Sequence, residues 1–204
     1  MKTKLIFISM LLLGISFGSF TPAKKGPAEN NFVKIKTEYG DIVVYLYNAT
    51  PKHKENFLKL AKEKFYDGTT FHRVIKNFMI QGGDPNSKDS DPNNDGMGGP
   101  GYTIDAEINP LIKHKYGVIA AARDNNPQKK SSGSQFYIVN NKQGTPFLDG
   151  NYTVFGEVVS GMDAVEKISV VETNPGNNRP LKDVKMTVEL TKAPAFDRKT
   201  LQIQ

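Results

Sequence analysis

This sequence predicts a mainly β domain: a closed antiparallel β-barrel with two capping α-helices. Six short β-rich runs, at 70–75, 78–81, 117–122, 135–139, 152–158 and 184–190, are mostly separated by clusters of Gly, Asn, Asp or Pro. A strand-turn-strand pattern precedes them, and only two segments have the marks of a helix. Many short strands with two helices, and no internal repeat, suggest a barrel with helical lids.

The elements follow in chain order. Lys2 and Lys4 flank an apolar stretch from Leu5 to Phe20, and small residues follow at Ser16-Phe17-Gly18 and Thr21-Pro22-Ala23. Residues 1–23 therefore read as a signal peptide, which makes the protein periplasmic or secreted. The stretch is short for a bilayer span, which needs about 20 apolar residues. A membrane is reached only if this leader stays uncleaved. Residues 24–31 are polar and read as a disordered lead-in. Phe32 to Thr37 alternates roughly apolar and polar, Glu38-Tyr39-Gly40-Asp41 turns the chain, and Ile42 to Leu46 returns it. Thr50 before Pro51 signals a hydroxyl N-cap with proline in the first turn. Phe57, Leu60 and Ala61 supply that helix's apolar face, and its end is expected near Lys64. A second short helix is expected from Met162 to Ile168, starting after Gly161 with Asp163 in its first turn. Residues 32–190 form the domain, and 191–204 read as a tail without pattern.

A chain of 204 residues fits one domain plus extensions and buries a full core without staples. It has no cysteine, which removes disulfides, thiol catalysis and thiolate metal sites. The net charge of +6 is mild and spread over solvated lysines, with no basic run interleaved with aromatics. Solubility rather than nucleic-acid binding is the reading.

Chemistry concentrates in three segments: Phe71-His72-Arg73, then Phe78-Met79-Ile80-Gln81-Gly82-Gly83-Asp84, then Gly133-Ser134-Gln135-Phe136-Tyr137. One arginine lies among apolar and amide side chains, which suits chemistry needing one fixed cation beside an apolar pocket. From about Phe32 to Leu190 the chain closely resembles the cyclophilin family of peptidyl-prolyl cis-trans isomerases, bacterial exported members among them. The resemblance implies eight strands, proline-containing polypeptides as partners, and no cofactor or metal. Side chains fill a barrel of that size, so any site must lie on its outer wall. Strand alternation then places Met79, Gln81, Gln135 and Tyr137 on the groove face and Ile80, Phe136 and Ile138 in the core. Phe78 starts its strand and is free to turn toward the groove.

The resemblance makes Arg73, Gln81 and Gln135 the catalytic set. Substrate contacts are expected from Phe78, Met79, Ala122, Arg123, Tyr137, Phe147, Leu148 and Tyr152. Arg123 stands where the family often presents asparagine, so backbone contacts there survive while a second cation is added. Phe147 stands where many eukaryotic members have tryptophan; the loss of the indole N–H resembles bacterial members and implies weak cyclosporin binding. Tyr152 replaces a histidine of many eukaryotic members. Tyr137 replaces the usual phenylalanine and brings a hydroxyl that needs a partner, with the prospect of polarising the pocket or retuning its preference. The enlarged loop Asp124 to Ser132 is placed to reshape the groove. A monomer is expected.

Other readings compete. Asp91 to Gly96, with Asp89 upstream, matches the opening of a calcium loop through Asp89, Asp91, Asn93 and Asp95. The position for a bidentate glutamate is Tyr102, no helices flank the loop, and a plain polar turn is the simpler reading. His72 with Ser134 invites a hydrolase triad, but alternation sets His72 opposite Arg73 and nothing marks a nucleophile. His53 and His114 read as exposed. The main rival is a non-catalytic proline-peptide-binding module or chaperone using the same groove. A β-barrel binder of carbohydrate gains little, since tryptophan is absent.

Overall fold

A two-residue alternation of buried side chains divides the apolar residues into two clusters, one on each face of a single sheet. The computed structural model describes residues 31–196, 199 and 201–203; the expected leader and lead-in residues 1–30 lie outside the described residues. The strands are β1 (Phe32–Thr37), β2 (Gly40–Leu46), β3 (Arg73–Ile75), β4 (Met79–Gly82), β5 (Thr103–Ile104), β6 (Val118–Ala121), β7 (Ser131–Ser132), β8 (Phe136–Val139), β9 (Val154–Ser160) and β10 (Thr187–Leu190). The helices are α1 (Pro51–Lys62) and α2 (Met162–Ile168). Eight strands form one antiparallel sheet in the order β10-β1-β2-β9-β6-β8-β4-β3.

On the inner face, Ile42, Val44, Ile80, Ile119, Phe136 and Ile138 pack with Phe57 and Leu60 of α1 and Val165 and Ile168 of α2. On the outer face, Val43, Tyr45, Met79, Ala120, Tyr137 and Val139 form the second cluster. The neighbouring positions that alternate in sequence thus separate as the pleat requires. Because both faces are covered, several strands read as continuous apolar runs rather than clean alternations.

The sheet is a curled half-barrel instead of the closed ladder expected from sequence. β3 and β10 are its end strands. They are only three and four residues long, and what joins them is the chain just before each. Thr70 and Lys185 form an isolated bridge, flanked by backbone bonds from Gly68 N–H to Met186 O (2.9 Å), Met186 N–H to Thr69 O (2.8 Å) and Phe71 N–H to Val184 O (2.9 Å). β5 and β7 make a separate two-stranded ribbon, too short to leave a periodic trace in the sequence.

Thr50 occupies the N-cap of α1, but its hydroxyl makes no capping bond. The helix start is held from a distance. Glu107 accepts the Lys52 and His53 N–H groups, both at 3.0 Å, and the His53 Nδ1 at 2.7 Å. The His53 Nε2 reaches Ser131 Oγ at 2.9 Å. His53 is therefore buried, contrary to the exposed position expected. Asn31, expected in a disordered lead-in, is buried too and donates to Asn48 at 2.8 Å.

The C-terminal segment also departs from expectation. Leu201 is buried in the outer cluster, Phe196 and Ile203 pack on it, and Gln202 N–H donates to Glu157 at 2.9 Å. The segment was unreadable because its contacts are single residues spaced without period. α2 spans the residues predicted. Gly161 precedes it at φ 92, and a Cβ there would lie 2.0 Å from Asp41 O. Gly161→Ala is expected to lower stability by about 2–4 kcal/mol through backbone strain and clash. Urea unfolding checks this, with the midpoint falling and the m-value unchanged.

Candidate functional site

Register builds the site. Arg73 of β3 pairs with Gln81 of β4, and Gln81 pairs with Tyr137 of β8. Cross-strand partners share a face, so arginine, amide and aromatic stand side by side on the outer wall. Gln135 lies two residues before Tyr137 and joins the same face. Arg73 Nη1 donates to Gln81 Oε1 at 3.3 Å, and Gln81 Nε2 donates to Gln135 Oε1 at 3.1 Å. Gln135 Nε2 in turn donates to the carbonyls of Gly96 (2.9 Å) and Gly98 (2.8 Å). Each amide thus has its oxygen turned toward the arginine side, so the chain of bonds orients the guanidinium.

Asp84 anchors the far end of this chain. It is fully buried and accepts the N–H groups of Asn86 (2.8 Å), Gly98 (3.2 Å) and Gly96. A Cβ on residue 98 would sit 2.2 Å from Asp84 Oδ1, so the approach requires glycine. Asp84 lies inside the central motif but carried no assigned role in the sequence reading. An acid followed by proline and then a glycine-rich stretch was the available signal.

Arg73 is half-buried, and desolvation lowers its pKa, with Tyr152 acting weakly in the other direction. Arginine nonetheless stays charged. Among the described residues the arginine ion pairs are those of Arg179 with Asp95 and Asp183, so Arg73 faces the groove without a carboxylate. Beside it is a recess of about 130 Å³ lined by Arg73, Phe78, Met79, Gln81, Ala122, Arg123, Tyr137, Leu148 and Tyr152. Of the expected site residues only Gln135 and Phe147 lie off this lining. Gln135 lines an adjoining cleft of about 630 Å³ that shares Gln81, Ala122 and Arg123 with the recess. Phe147 is 68% exposed and packs against Phe78 with ring centroids 5.7 Å apart. It forms a shelf outside the recess.

Arg123 is the second cation. Its Nε donates to Asn151 O and its Nη1 to Asp124 O, both at 2.9 Å, and its guanidinium lies 4.8 Å from the Tyr152 ring. The Ala122 N–H is engaged by Gln135 O and its carbonyl accepts the Ser132 N–H. Ala122 is left with one carbonyl lone pair. The Tyr137 hydroxyl has its partner in His114, whose Nε2 lies 3.0 Å away. His114 is buried, again unlike the exposed residue expected. The sequence held no signal for this pair, which lies 23 residues apart.

Two rival constellations are not assembled. Asp91 accepts from Asn93, Asp89 accepts the Asp91 N–H and Asn94, and Asp95 turns to Arg179 at 2.6 Å. These are turn contacts and an ion pair, and no group of three or more metal-ligating side chains occurs among the described residues. His72 precedes the first residue of β3, so alternation does not govern it. Its ring approaches Gln81 at 3.5 Å on the arginine side, contrary to the face expected. The Ser134 hydroxyl has no hydrogen-bond partner, so no triad forms with it.

A sequence model of the cyclophilin-type peptidyl-prolyl cis-trans isomerases matches residues 32–189. This chain belongs to the cyclophilin family. It is 41% identical over 159 residues to peptidyl-prolyl cis-trans isomerase cypE of Dictyostelium discoideum, covering 76% of this chain and 93% of that protein. It is 39% identical over 158 residues to human peptidyl-prolyl cis-trans isomerase-like 1, covering 76% of this chain and 88% of the relative. A crystal structure of a Cryptosporidium parvum cyclophilin type isomerase superposes with a TM-score of 0.72 at 30% identity, covering 81% of this chain and 99% of that one. A further structure of the parasite protein, in the presence of the dipeptide Ala-Pro, gives a TM-score of 0.70 at 30% identity over 79% of this chain and 99% of that one. This cyclophilin is thus an isomerase of the same class as these eukaryotic relatives.

All three histidines have lowered pKa values, each chiefly through burial: His53, His72 and His114. Nearby carboxylates act in the opposite direction but do not reverse it. The folded cyclophilin therefore holds these rings neutral, whereas unfolding lets them charge at about pH 6.5. Stability is fully present above that pH and is lost as pH falls through the folded-state values. Urea midpoints should fall between pH 7.5 and pH 5; a midpoint that rises on acidification would contradict the burial.

Proposed function

We propose that this cyclophilin accelerates rotation about X-Pro bonds in exported proteins, with Arg73 as the catalytic donor. The observation that supports it is an unneutralised guanidinium fixed at the wall of a small recess whose other lining is mainly apolar and aromatic. Rotation about a peptide bond has a barrier of about 18–20 kcal/mol because the nitrogen lone pair is delocalised into the carbonyl. As the X-Pro bond twists, the nitrogen becomes pyramidal and regains that lone pair. A preorganised charged N–H aimed at it gains strength only in the twisted state. One such donor contributes about 3–4 kcal/mol, by analogy with an oxyanion-hole donor.

Phe78, Met79, Tyr137, Leu148 and Tyr152 would hold the proline ring, and burying it adds about 1–2 kcal/mol. Gln81 and Gln135 orient the arginine, and the flanking polypeptide runs over the adjoining cleft beside Ala122 and Arg123. Phe147 meets the peptide at the outer shelf. Without an indole N–H there, cyclosporin binding is weak. The protein works as a monomer of the bacterial exported type, in the periplasm or outside the cell. The Leu5 to Phe20 stretch behind Lys2 and Lys4 supports the export.

Arg73→Ala should reduce kcat/KM for a short X-Pro peptide by about 10²–10³-fold while peptide affinity changes little. Exchange spectroscopy by NMR measures the rate, and a peptide titration measures binding. A wild type that binds proline peptides without accelerating exchange would establish the peptide-binding module in place of the isomerase.

A further inference from the structure

Behind the recess lies a buried hydrogen-bonded chain that the isomerisation scheme does not use. Tyr137 Oη is 3.0 Å from His114 Nε2, and His114 Nδ1 is 2.8 Å from Asp149 Oδ1. The same carboxylate oxygen accepts the His114 backbone N–H at 2.9 Å. The His114 side chain is 1% exposed and Tyr137 is 5% exposed. The rings of His114 and Tyr137 are nearly parallel, at 10° with centroids 6.2 Å apart.

These contacts settle the protons. An ionised carboxylate only accepts, so Nδ1 of His114 carries the hydrogen. In the neutral ring Nε2 is then an acceptor, and the Tyr137 hydroxyl donates to it. The phenol proton is thereby turned into the protein and away from the recess. Tyr137 offers its ring to a proline and keeps its O–H donor hidden, which lets a tyrosine serve where an apolar floor is needed. We propose that His114 and Asp149 are positioning residues that hold the Tyr137 hydroxyl out of the proline recess, and that protonation of His114 releases it. This role rests on the isomerase reading of the site.

Once His114 is an imidazolium, both ring nitrogens donate and Tyr137 Oη must accept. Its own proton then needs another acceptor, and among the described residues the hydroxyl has no bonding partner besides His114. The recess acquires an unpaired buried donor. The charged and titratable groups facing His114 are Asp149, Lys113 (3.8 Å from Asp149), Tyr137 and Tyr152, with Arg123 over the Tyr152 ring. Asp149 favours the imidazolium, while burial of the ring opposes it more strongly and sets its pKa below the ordinary histidine value. The neutral state is accordingly the resting one near neutral pH. The Lys113 backbone exchanges two hydrogen bonds with the Gln202 amide, at 3.0 and 2.9 Å, so the C-terminal segment helps to fix the loop that carries His114.

The experiment follows the pH dependence of kcat/KM by NMR exchange on an X-Pro peptide with no titrating side chain. Wild type should lose activity through a single-proton limb that lies on the acid side of the ordinary histidine range and whose full depth is about tenfold, as one unpaired buried donor implies. His114→Gln keeps an acceptor for the phenol but cannot titrate, and should flatten the limb. His53→Gln and His72→Gln should retain it, and Asp149→Asn should shift it to lower pH. In parallel, ¹⁵N shifts of the His114 ring in wild type should report the Nδ1–H tautomer at pH 7.5, which requires no variant to fold. An Nε2–H tautomer, or a limb that persists in His114→Gln, overturns the proposal. Absence of isomerase activity at every pH would overturn the isomerase reading and this role with it, whereas the tautomer alone fails only the positioning claim.

Discussion

A guanidinium drawn partly out of water with no carboxylate beside it is unfavourable unless neighbouring dipoles hold it. That constraint organises the outer wall of this protein. Arg73 is held by Gln81, Gln81 by Gln135, and Gln135 by two carbonyls of the loop that Asp84 fixes. Neutral amides orient the charge without cancelling it, so the guanidinium keeps its full charge at the groove. A carboxylate in the place of Gln81 would hold the arginine more tightly and, on the role proposed for Arg73, would leave it less able to favour a twisted amide.

The scaffold makes this arrangement rigid through register. The row Arg73, Gln81, Tyr137 follows from two antiparallel pairings, and a one-residue slip of β4 would exchange Gln81 for Ile80 and bury an amide in the inner core. Ile80, Phe136 and Ile138 are all fully or nearly fully buried there, so the hydrophobic pattern that fills the inner core also fixes the outer face. Stability and the geometry of the candidate site are thus set by the same alternation, read on opposite sides of one sheet.

Much of this was legible in the sequence because alternation is local. The inner and outer assignments for residues 79–81 and 135–138 need only the order of apolar and polar side chains, and α2 was framed by Gly161 and a short apolar spacing. What the sequence hid depends on partners far apart in the chain. Thr50 looks like an N-cap, yet Glu107, 55 residues beyond Lys52, accepts the helix N–H groups instead. His53 and His114 read as surface residues because the carboxylates that receive them, Glu107 and Asp149, are brought near only by folding. The curl of the sheet stops short of a continuous ladder because its end strands are short, a property of pairing rather than composition. Asp89, Asp91, Asn93 and Asp95 resemble a chelating loop by spacing, but their side chains are taken up by turns and by Arg179.

A structure of this protein with a bound X-Pro peptide tests the account most directly. The proline ring should lie in the recess between Phe78, Met79, Tyr137 and Leu148, with an Arg73 N–H directed at the prolyl nitrogen. A peptide bound elsewhere on the surface, or an Arg73 side chain turned from the prolyl nitrogen toward solvent, would contradict it.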